Sequence, residues 1–284
     1  MEYRMIYDRP AEEWADALPL GNGRLGAMVY GHTAVERIQL NEDSLWYGGP
    51  MDRNNPNLRE RLPEIRKHVF AGELREAEDL IQRYVLGAPY SMRHYESLGE
   101  LDIGLNRLSP FATGWTPNSE GAEEYRAWLD LMRGVHHQEW TEDGVRYERD
   151  TFVSHPDGVL CVRYRGSKPF SLQARFDRAL IFEGMVPDER RPGKMVRAGG
   201  WGSLFLDENR TLDAYTLAIR GNAAGTGFAA AVVLRTDGEA EDPYTQLCAN
   251  GATEVCLCLA AATTNREDDP MGAALARARG GDGL

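Results

Sequence analysis

The feature that most restricts the fold of this chain is a series of short segments separated by Asp-Gly pairs. Two such pairs, at residues 143–144 and 157–158, separate three segments: one that ends at Trp140, one at residues 145–153 and one at residues 159–164. Asp-Gly pairs suit the positive φ angles of tight hairpin turns. The sequence therefore predicts three consecutive antiparallel strands, a β-meander.

Further segments have the composition of strands. They lie at residues 171–176, 215–220, 228–235 and 253–261. The last two are apolar on both faces, so we expect them to be central strands that are covered on each side. The predicted fold class is mainly β: a large antiparallel β-sandwich, supersandwich-like in size. The 284 residues fit this class, because single all-β domains often reach ~250 residues.

One stretch, residues 57–86, has apolar residues at helical spacings of three and four. Gly72 divides it into two amphipathic helices, and Pro56 stands just ahead of the first helix. We expect a short helical hairpin that covers an edge or an end of the sandwich. Residues 106–124 and 183–203 are rich in glycine, proline and charge, and they are expected to form long surface loops.

The charge balance excludes some classes of partner. Lysine and arginine number 32 against 44 aspartates and glutamates, a formal net charge of -12. An acidic chain repels phosphate backbones, so we expect no nucleic-acid partner. Since no apolar run approaches ~18 residues, we expect no membrane partner. The N-terminus of this chain has no secretory signal, which favours a cytoplasmic location. Export of a parent protein is left open.

The cysteines are predicted to be buried free thiols. They are Cys161, Cys248, Cys256 and Cys258. Cys256 and Cys258 would lie two apart on a strand, a span of ~6.6 Å that is close to the upper limit for a disulfide. No Cys/His spacing resembles a zinc site, and the adjacent His136 and His137 would point to opposite faces of a strand. We therefore expect no metal and no cofactor.

Residues 21–26, GNGRLG, match the G-x-G-x-x-G pattern of dinucleotide sites. That pattern must follow a strand and open a helix. Here a short strand-like run, AMVYG at residues 27–31, follows instead. We interpret the motif as a tight turn that leads into a β-strand.

Glu42 and Asp43 could be read as the paired carboxylates of a glycosidase. Adjacent residues rarely hold two carboxyl groups ~5–9 Å apart across one bond, as that chemistry requires. Caps and hydrogen bonds within a loop are the favoured interpretation. The surrounding segment, LNEDSLWYGGP at residues 40–50, joins polar side chains, a tryptophan and a Gly-Gly-Pro breaker. It predicts a shaped loop that presents groups to a ligand or to another domain.

Six sequence blocks are specific when taken together. They are WADALPLGNGRLGAMVYG (14–31), QLNEDSLWYGGP (39–50), DRNNP (52–56), YESLGEL (95–101), YRAWLDL (125–131) and FVSHPD (152–157). With these blocks, the chain resembles glycoside hydrolase family 95, which comprises α-L-fucosidases and some α-L-galactosidases. The resemblance runs from about residue 7 to residue 270. The sequence departs from the family's Y-x-P-L-G-D-L block, with Ser97 for proline and Glu100 for aspartate.

The resemblance implies an N-terminal β-sandwich domain over residues 1–270, and residues 271–284 look like the start of an interdomain linker. Family enzymes carry their catalytic groups in a following (α/α)6 helical barrel, which this chain lacks. There a glutamic acid and a base made from asparagine and aspartate perform inverting hydrolysis of α-L-fucosyl or α-L-galactosyl linkages. We therefore expect a non-catalytic domain that is inactive alone, with the barrel of the same parent enzyme as its partner and a glycan as a further candidate.

The resemblance also suggests a role for the loop at residues 41–50: it would face the barrel or form the rim of the sugar site. The interface or sugar-rim candidates are Asn41, Glu42, Asp43, Trp46, His94 and Tyr95. The alternative is that Trp46 fills the sandwich core.

Two alternatives for the whole domain also remain. One is a stand-alone carbohydrate-binding module, in which Trp46, Trp115 or Trp201 would stack on a sugar. The other is a purely structural domain. A scaffold should expose an apolar patch of several hundred Å², whereas a sugar-binding module should show a shallow groove flanked by aromatic and polar groups.

Overall fold

The computed structural model describes residues 3–90, 93–106, 117–178, 205–242 and 245–281 with their side chains. For residues 184–187 and 195–198 it describes the backbone. Trp115 and Trp201, two of the candidate sugar-stacking residues, lie outside these ranges.

The described chain is mainly β, as predicted, with sixteen strands and three α-helices. The strands are β1 Arg4–Tyr7, β2 Leu18–Gly21, β3 Leu25–Val29, β4 Val35–Glu42, β5 Gly99–Leu105, β6 Glu123–Asp130, β7 Val135–Glu142, β8 Val145–Ser154, β9 Val159–Asp177, β10 Gly184–Pro187, β11 Met195–Ala198, β12 Leu206–Asp213, β13 Thr216–Ala223, β14 Thr226–Thr236, β15 Glu239–Glu241 and β16 Gln246–Thr263. The helices are α1 Leu58–Ala71, α2 Leu74–Tyr84 and α3 Pro270–Gly280. Within the predicted loop at 183–203, β10 and β11 pair as a two-stranded ladder, so this part is not a plain loop.

Two layers of antiparallel strands share the long strands β9 and β16. One layer has the order β1-β6-β7-β8-β9-β16-β14-β13-β12, and the other runs from β2 through β3, β4 and β5 to β9, with β15 on β16. β9 pairs with β8 through residues 159–166 and with β5 through residues 172–177. β16 pairs with β14 through residues 255–263 and with β15 through residues 248–250. Because each strand changes partner halfway along, the sheet folds over on itself, as at the corner of a sandwich.

The predicted double coverage of the last two long strands is confirmed. On β16, Leu257 and Leu259 face the core between the layers, whereas Cys256 and Cys258 face outward. The outward side is covered by α3, whose Ala274 is fully buried there. A sandwich core between the layers and a second, smaller core under α3 therefore enclose the central strands.

Helix α3 lies in the segment that the sequence analysis assigns to the start of a linker. The Asp269 side chain caps the helix by accepting a hydrogen bond from the Gly272 amide at 3.0 Å, and Pro270 occupies the first turn. Both residues are typical of a helix start. The first part of this tail is thus packed on the sheet, and its continuation as a linker stays a prediction.

The predicted meander is present as β7, β8 and β9. At the first turn both Asp143 and Gly144 have positive φ, 52° and 68°, as expected for a tight hairpin. At the second turn only Gly158 does, and four residues, 155–158, connect the strands. The second Asp-Gly pair therefore marks a longer turn than the first. The segment at residues 21–26 is the predicted tight turn, since it joins β2 to β3 as a hairpin.

The predicted helical hairpin is confirmed, and Gly72, at φ 77°, ends its first helix. Its predicted covering role is wrong. The two helices pack mainly on each other, around the buried Ile65 and Ala77. Phe70 is 86% exposed and Leu74 67% exposed, so the hairpin leaves apolar side chains uncovered instead of burying them on a sheet.

The four cysteines are free and buried, as predicted. Cys161 and Cys258 are paired across β9 and β16, and their sulfur atoms are 3.8 Å apart. His136 is buried, whereas its neighbour His137 lies on the opposite face of β7. Within the described residues, no group of three or more His, Cys, Asp or Glu side chains is placed to hold a metal ion. In the same part of the chain, no helix has the length and apolar character needed to cross a membrane.

Candidate functional site

The loop at residues 41–50 is held against a second segment that follows the helical hairpin. The amide of Tyr47 donates to the carbonyl of His94 at 3.1 Å, and the amide of Glu96 donates to the carbonyl of Leu45 at 3.0 Å. Between these bonds, Trp46 and Tyr95 form an isolated β-bridge. The structure therefore brings together candidates that lie about fifty residues apart in the sequence.

The aromatic rings at this junction form a surface that we call the aromatic ledge. It comprises Trp46, Tyr47, His94, Tyr95 and Phe205. Trp46 meets Tyr95 edge-on at 5.1 Å between centroids. Tyr47 stacks on His94 at 4.7 Å and contacts Phe205 at 5.9 Å. Such distances are typical of favourable aromatic pairs.

The ledge is a surface feature. Trp46 is half-buried and Tyr95 is 39% exposed, while the neighbouring Leu45 is fully buried in the core. The alternative in which Trp46 fills the sandwich core is therefore wrong. Leu45 anchors the loop and leaves the rings of Trp46 and Tyr95 at its edge.

Glu42 is buried at the base of the loop and is bound to its own neighbour. Its carboxylate accepts hydrogen bonds from the Ser44 amide at 2.8 Å and the Ser44 hydroxyl at 2.7 Å. Burial raises the pKa of Glu42, and these hydrogen bonds act in the opposite direction. The contacts fit the interpretation of local hydrogen bonding within a loop. They do not place Glu42 opposite a second carboxylate across an open cleft.

Asp43 faces outward and connects the loop to the end of β16. Its carboxylate pairs with the guanidinium of Arg266, and the Asn265 side chain donates to the Ser44 carbonyl at 2.8 Å. Both contacts span more than 200 residues of sequence, so they fix the loop to the sheet rather than to itself.

Tyr95 closes the arrangement from the other side. Its hydroxyl donates to the backbone carbonyl of Glu42 at 2.7 Å. Burial raises the pKa of Tyr95 to about 12, with further contributions from the carboxylates of Glu42 and Asp43. The phenol is therefore a stable hydrogen-bond donor at neutral pH and not a base.

A chain of polar contacts that the sequence did not indicate links the ledge to a buried arginine. The imidazole Nε2 of His94 lies 2.9 Å from one oxygen of Glu96, and the other oxygen lies 2.5 Å from a guanidinium nitrogen of Arg178. Arg178 is buried and lies over the ring of Phe228 at 4.7 Å. Glu96 adjoins Tyr95 within the YESLGEL block and could have been chosen. Nothing in the sequence pattern pairs it with Arg178.

The Gly-Gly-Pro breaker has the unusual backbone that the sequence predicts. Gly48 and Gly49 have φ angles of 83° and 67°, a region that disfavours other residues. A Cβ atom on Gly49 would lie 3.1 Å from the carbonyl oxygen of Gly225, in the turn between β13 and β14. The Gly48 carbonyl accepts a hydrogen bond from the Arg93 guanidinium. The loop therefore runs in close contact with the turn between β13 and β14, two strands of the layer that begins with β1.

Asn41 lies apart from the other candidates. It is the exposed residue before Glu42 at the end of β4, opposite Gly26 of β3. Neighbouring residues of a strand point to opposite faces. The five other candidates, Glu42, Asp43, Trp46, His94 and Tyr95, are the ones that meet at the junction.

The helical hairpin leaves the ledge and returns to it. The Arg53 guanidinium donates to the carbonyls of Pro89 and Tyr90, which closes the base of the hairpin. The hairpin and its base carry several exposed apolar side chains, which we call together the hairpin surface. It comprises the exposed side chains of Leu62, Val69, Phe70, Leu74, Ile81, Val85, Leu86 and Tyr90.

Comparison with known proteins gives a family match over nearly the whole chain. Residues 5–268 match the family model described as glycosyl hydrolase family 65, N-terminal domain. The solved structure titled "Putative kojibiose phosphorylase from human microbiome" superposes with a TM-score of 0.49 at 8% identity. The superposition covers 98% of this chain and 34% of that chain.

Three curated relatives carry fucosidase names. "Alpha-L-fucosidase 2" of Arabidopsis thaliana is 31% identical over 179 residues, which are 62% of this chain and 20% of the relative. "Probable alpha-fucosidase A" of Aspergillus niger is 37% identical over 163 residues, 55% of this chain and 18% of the relative. The protein of the same name from Aspergillus oryzae is 27% identical over 191 residues, 64% of this chain and 24% of the relative. The matched segment thus spans about a fifth of each relative.

Proposed function

Because this chain belongs to the glycosyl hydrolase family 65 N-terminal domains, we propose that it serves as the non-catalytic N-terminal domain of an α-L-fucosidase-type enzyme. The fucosidase names of the three relatives support this enzyme class. The six sequence blocks support the finer assignment to family 95. In such a parent enzyme, an (α/α)6 barrel performs inverting hydrolysis of α-L-fucosyl or α-L-galactosyl linkages, and this domain supports the barrel.

The observation that carries the supporting role is the uncovered apolar surface of the hairpin. Exposed hydrophobic patches of several hundred Å² are rare on free-standing proteins and mark interaction sites. Phe70 and Leu74 project from the turn between the two helices, where they contribute nothing to the core of this domain. A catalytic domain that packs on this surface would remove those side chains from water.

The aromatic ledge would belong to the same interface. The chain leaves the ledge at Pro50, forms the hairpin, and returns to the ledge at residues 93–96. Both ends of the hairpin are therefore joined to the ledge. We propose that Trp46 and Tyr95 face the catalytic domain or the rim of its sugar site, with His94 held in place through Glu96.

The non-catalytic role is tested by incubating the purified chain with a chromogenic α-L-fucoside. We expect no turnover above background, because the family's acid and base belong to the barrel. Turnover that survives repurification would overturn this role.

The supporting role is tested in a chimera, in which residues 1–270 replace the matched segment of the Arabidopsis relative. Phe70→Ser with Leu74→Ser should lower the thermal stability and activity of the chimera but leave the isolated chain as stable as before. The control is Tyr215→Ser, which removes an exposed ring from the turn between β12 and β13, outside the hairpin. Equal behaviour of the hairpin variant and the control would refute the interface.

A further inference from the structure

Among the described residues, four strands of the large sheet pair on one side only: β1, β2, β12 and β15. Edge strands of natural proteins are usually protected from further pairing by charged side chains, proline or shortness. β2 contains Pro19, β15 has three residues, and β12, with the sequence LDENRTLD, is rich in charge. β1, with the sequence RMIY, has apolar residues at its centre. It is therefore the least protected edge of the described sheet.

Apolar side chains along β1 are exposed to water. Ile6 is 80% exposed, and Tyr3 and Met5 are exposed beside it. The turn after β6 adds the exposed Leu131 and Met132. This turn is held beside β1, because the Leu131 amide donates to the Tyr3 carbonyl at 3.0 Å. Exposed apolar side chains that lie together mark interaction sites. None of these residues belongs to the ledge or the hairpin surface, so the proposed interface does not account for them.

The open side of β1 presents defined hydrogen-bonding groups. In an antiparallel pair, alternate residues direct both backbone groups at the partner strand. The bond from Leu131 to Tyr3 places Tyr3, and therefore Met5, among the residues that direct these groups at β6. Arg4 and Ile6 consequently direct their backbone N–H and C=O groups away from β6. Outside the ladder with β6, no described residue forms a hydrogen bond with the Ile6 backbone.

We propose that β1 pairs edge to edge with β1 of a second copy of this chain, so that two sheets join across a twofold axis. Such a contact requires an edge that is complementary to itself. Three registers place Arg4 or Ile6 of one copy opposite Arg4 or Ile6 of the other. With Arg4 opposite Arg4, like charges meet, which is unfavourable. With Arg4 opposite Ile6, the guanidinium lies against an apolar side chain. The remaining register places Ile6 opposite Ile6.

The register centred on Ile6 is complementary to itself. It places Arg4 opposite Asp8 and Met5 opposite Tyr7, each twice because of the twofold axis. Asp8 is exposed in the bend directly after β1, so Arg4 and Asp8 would pair through their side chains. Opposite charges and apolar pairs stabilise adjacent strands. Since β1 has only four residues, the contact is small, and we expect a weak dimer that depends on concentration.

The first test is sedimentation velocity of the 284-residue chain at about 0.15 M salt, where distant charges are screened. The fraction of dimer should rise as the chain concentration increases from about 1 μM to about 1 mM, the range expected of a small interface. Ile6→Lys places two ammonium groups opposite each other and should weaken association by about tenfold or more. The matched control is Phe70→Lys, which changes a similarly exposed apolar residue of the hairpin surface and should leave association unchanged. Arg4→Asp should weaken the dimer, and Asp8→Arg in the same chain should restore it.

The second test is a cross-link that reports the register. Residues opposite each other in a hydrogen-bonded pair have Cα atoms ~5.5 Å apart, within the range of a disulfide. Diamide, which takes up the two thiol hydrogens, should therefore link two copies of the Ile6→Cys variant. Met5→Cys should link poorly, because its copy is displaced by two residues, ~6.6 Å along the strand. Phe70→Cys measures random collision, and the parent chain, whose own cysteines are buried, gives the background.

Thermal unfolding of each variant establishes that it is folded. The proposal is overturned if the parent chain stays monomeric over the whole concentration range, or if Ile6→Lys and Phe70→Lys have equal effects. Cross-linking of Ile6→Cys no faster than that of Met5→Cys or Phe70→Cys would also overturn it. A loss of association in Phe70→Lys alone would place the contact between copies on the hairpin surface instead. These outcomes are distinct from those of the chimera, which measures packing against a catalytic domain.

Discussion

The sandwich core encloses an ion pair whose disruption gives the sharpest test of how this fold is stabilised. Arg149 and Glu36 have no exposed side-chain surface, and the guanidinium donates to the carboxylate. The other oxygen of Glu36 accepts from the amides of Tyr30 and Gly31 at 3.1 and 3.2 Å. Burial raises the pKa of Glu36, although the charge of Arg149 opposes that effect.

Arg149 also donates to the hydroxyl of Tyr164 and the carbonyl of His32, each at 2.9 Å, and to the side chain of Gln138. In Glu36→Gln the guanidinium would keep these neutral partners but lose its counter-charge. Removing one partner of a buried pair costs about 3–5 kcal/mol. That is a large share of the ~5–15 kcal/mol by which domains are stable. At ~2–4 °C per kcal/mol the melting temperature would fall by roughly 6–20 °C.

The assay is urea unfolding followed by circular dichroism, with thermal unfolding in parallel. The control is Glu64→Gln, which removes an exposed i,i+3 pair with Arg61 and should cost no more than about 0.5 kcal/mol. The double variant Glu36→Gln with Arg149→Met should regain much of the loss, because no unpaired charge remains buried. A loss below about 1 kcal/mol for Glu36→Gln, or a double variant no better than the single one, would refute this account.

Three further predictions concern single sites. Burial lowers the pKa of His136 in the folded protein to about 3. The unfolded chain takes up this proton near the ordinary histidine pKa of ~6.5. As the pH decreases between these two pKa values, the free energy of unfolding should therefore fall by about 1.4 kcal/mol per pH unit. His136→Gln should flatten that slope in urea titrations at several pH values. Gly49→Ala should lower the free energy of unfolding by about 1–3 kcal/mol, and by more than Gly144→Ala does. Both glycines have similar positive φ angles, but only Gly49 lies close to another backbone segment. Equal losses would show that the close approach is unimportant. Titration with a thiol reagent should find four thiols after denaturation without reductant and few before it; two or more missing after denaturation would contradict free cysteines.

The predictable part of the fold is the part that local chemistry determines. Asp143 and Gly144 specify a tight turn on their own, and Gly72 ends a helix whichever partner the helix has. The corners of β9 and β16 were not predicted, because the two predicted strands at residues 159–164 and 171–176 are one strand that changes partner. Such an exchange depends on pairing with distant segments.

Helix α3 was missed for a different reason. Its buried face consists of alanines such as Ala274 and Ala278, which give little hydrophobic periodicity, and its arginines and glycines suggested a linker. The apolar residues on both faces of β14 and β16 nevertheless indicated that another element covers the outer side of these strands.

The candidate site was predictable in its aromatic part and not in its charged part. Trp46 and Tyr95 stood out because they lie in two distinctive sequence blocks, and His94 directly precedes the second block. The partner of Glu96, Arg178, lies 82 residues away, and no local pattern connects them.

The sharing of β9 and β16 between both layers has a consequence for how the domain comes apart. In a sandwich of two separate sheets, one sheet could fray while the other persists. Here the same two strands supply hydrogen-bond partners to both layers, so the layers cannot separate from each other without breaking pairing along β9 and β16. A single peptide-bond cleavage at the corner of β16, near Gly251, would divide that strand into two shorter pieces, and the uncut β9 would then be left to join the two layers.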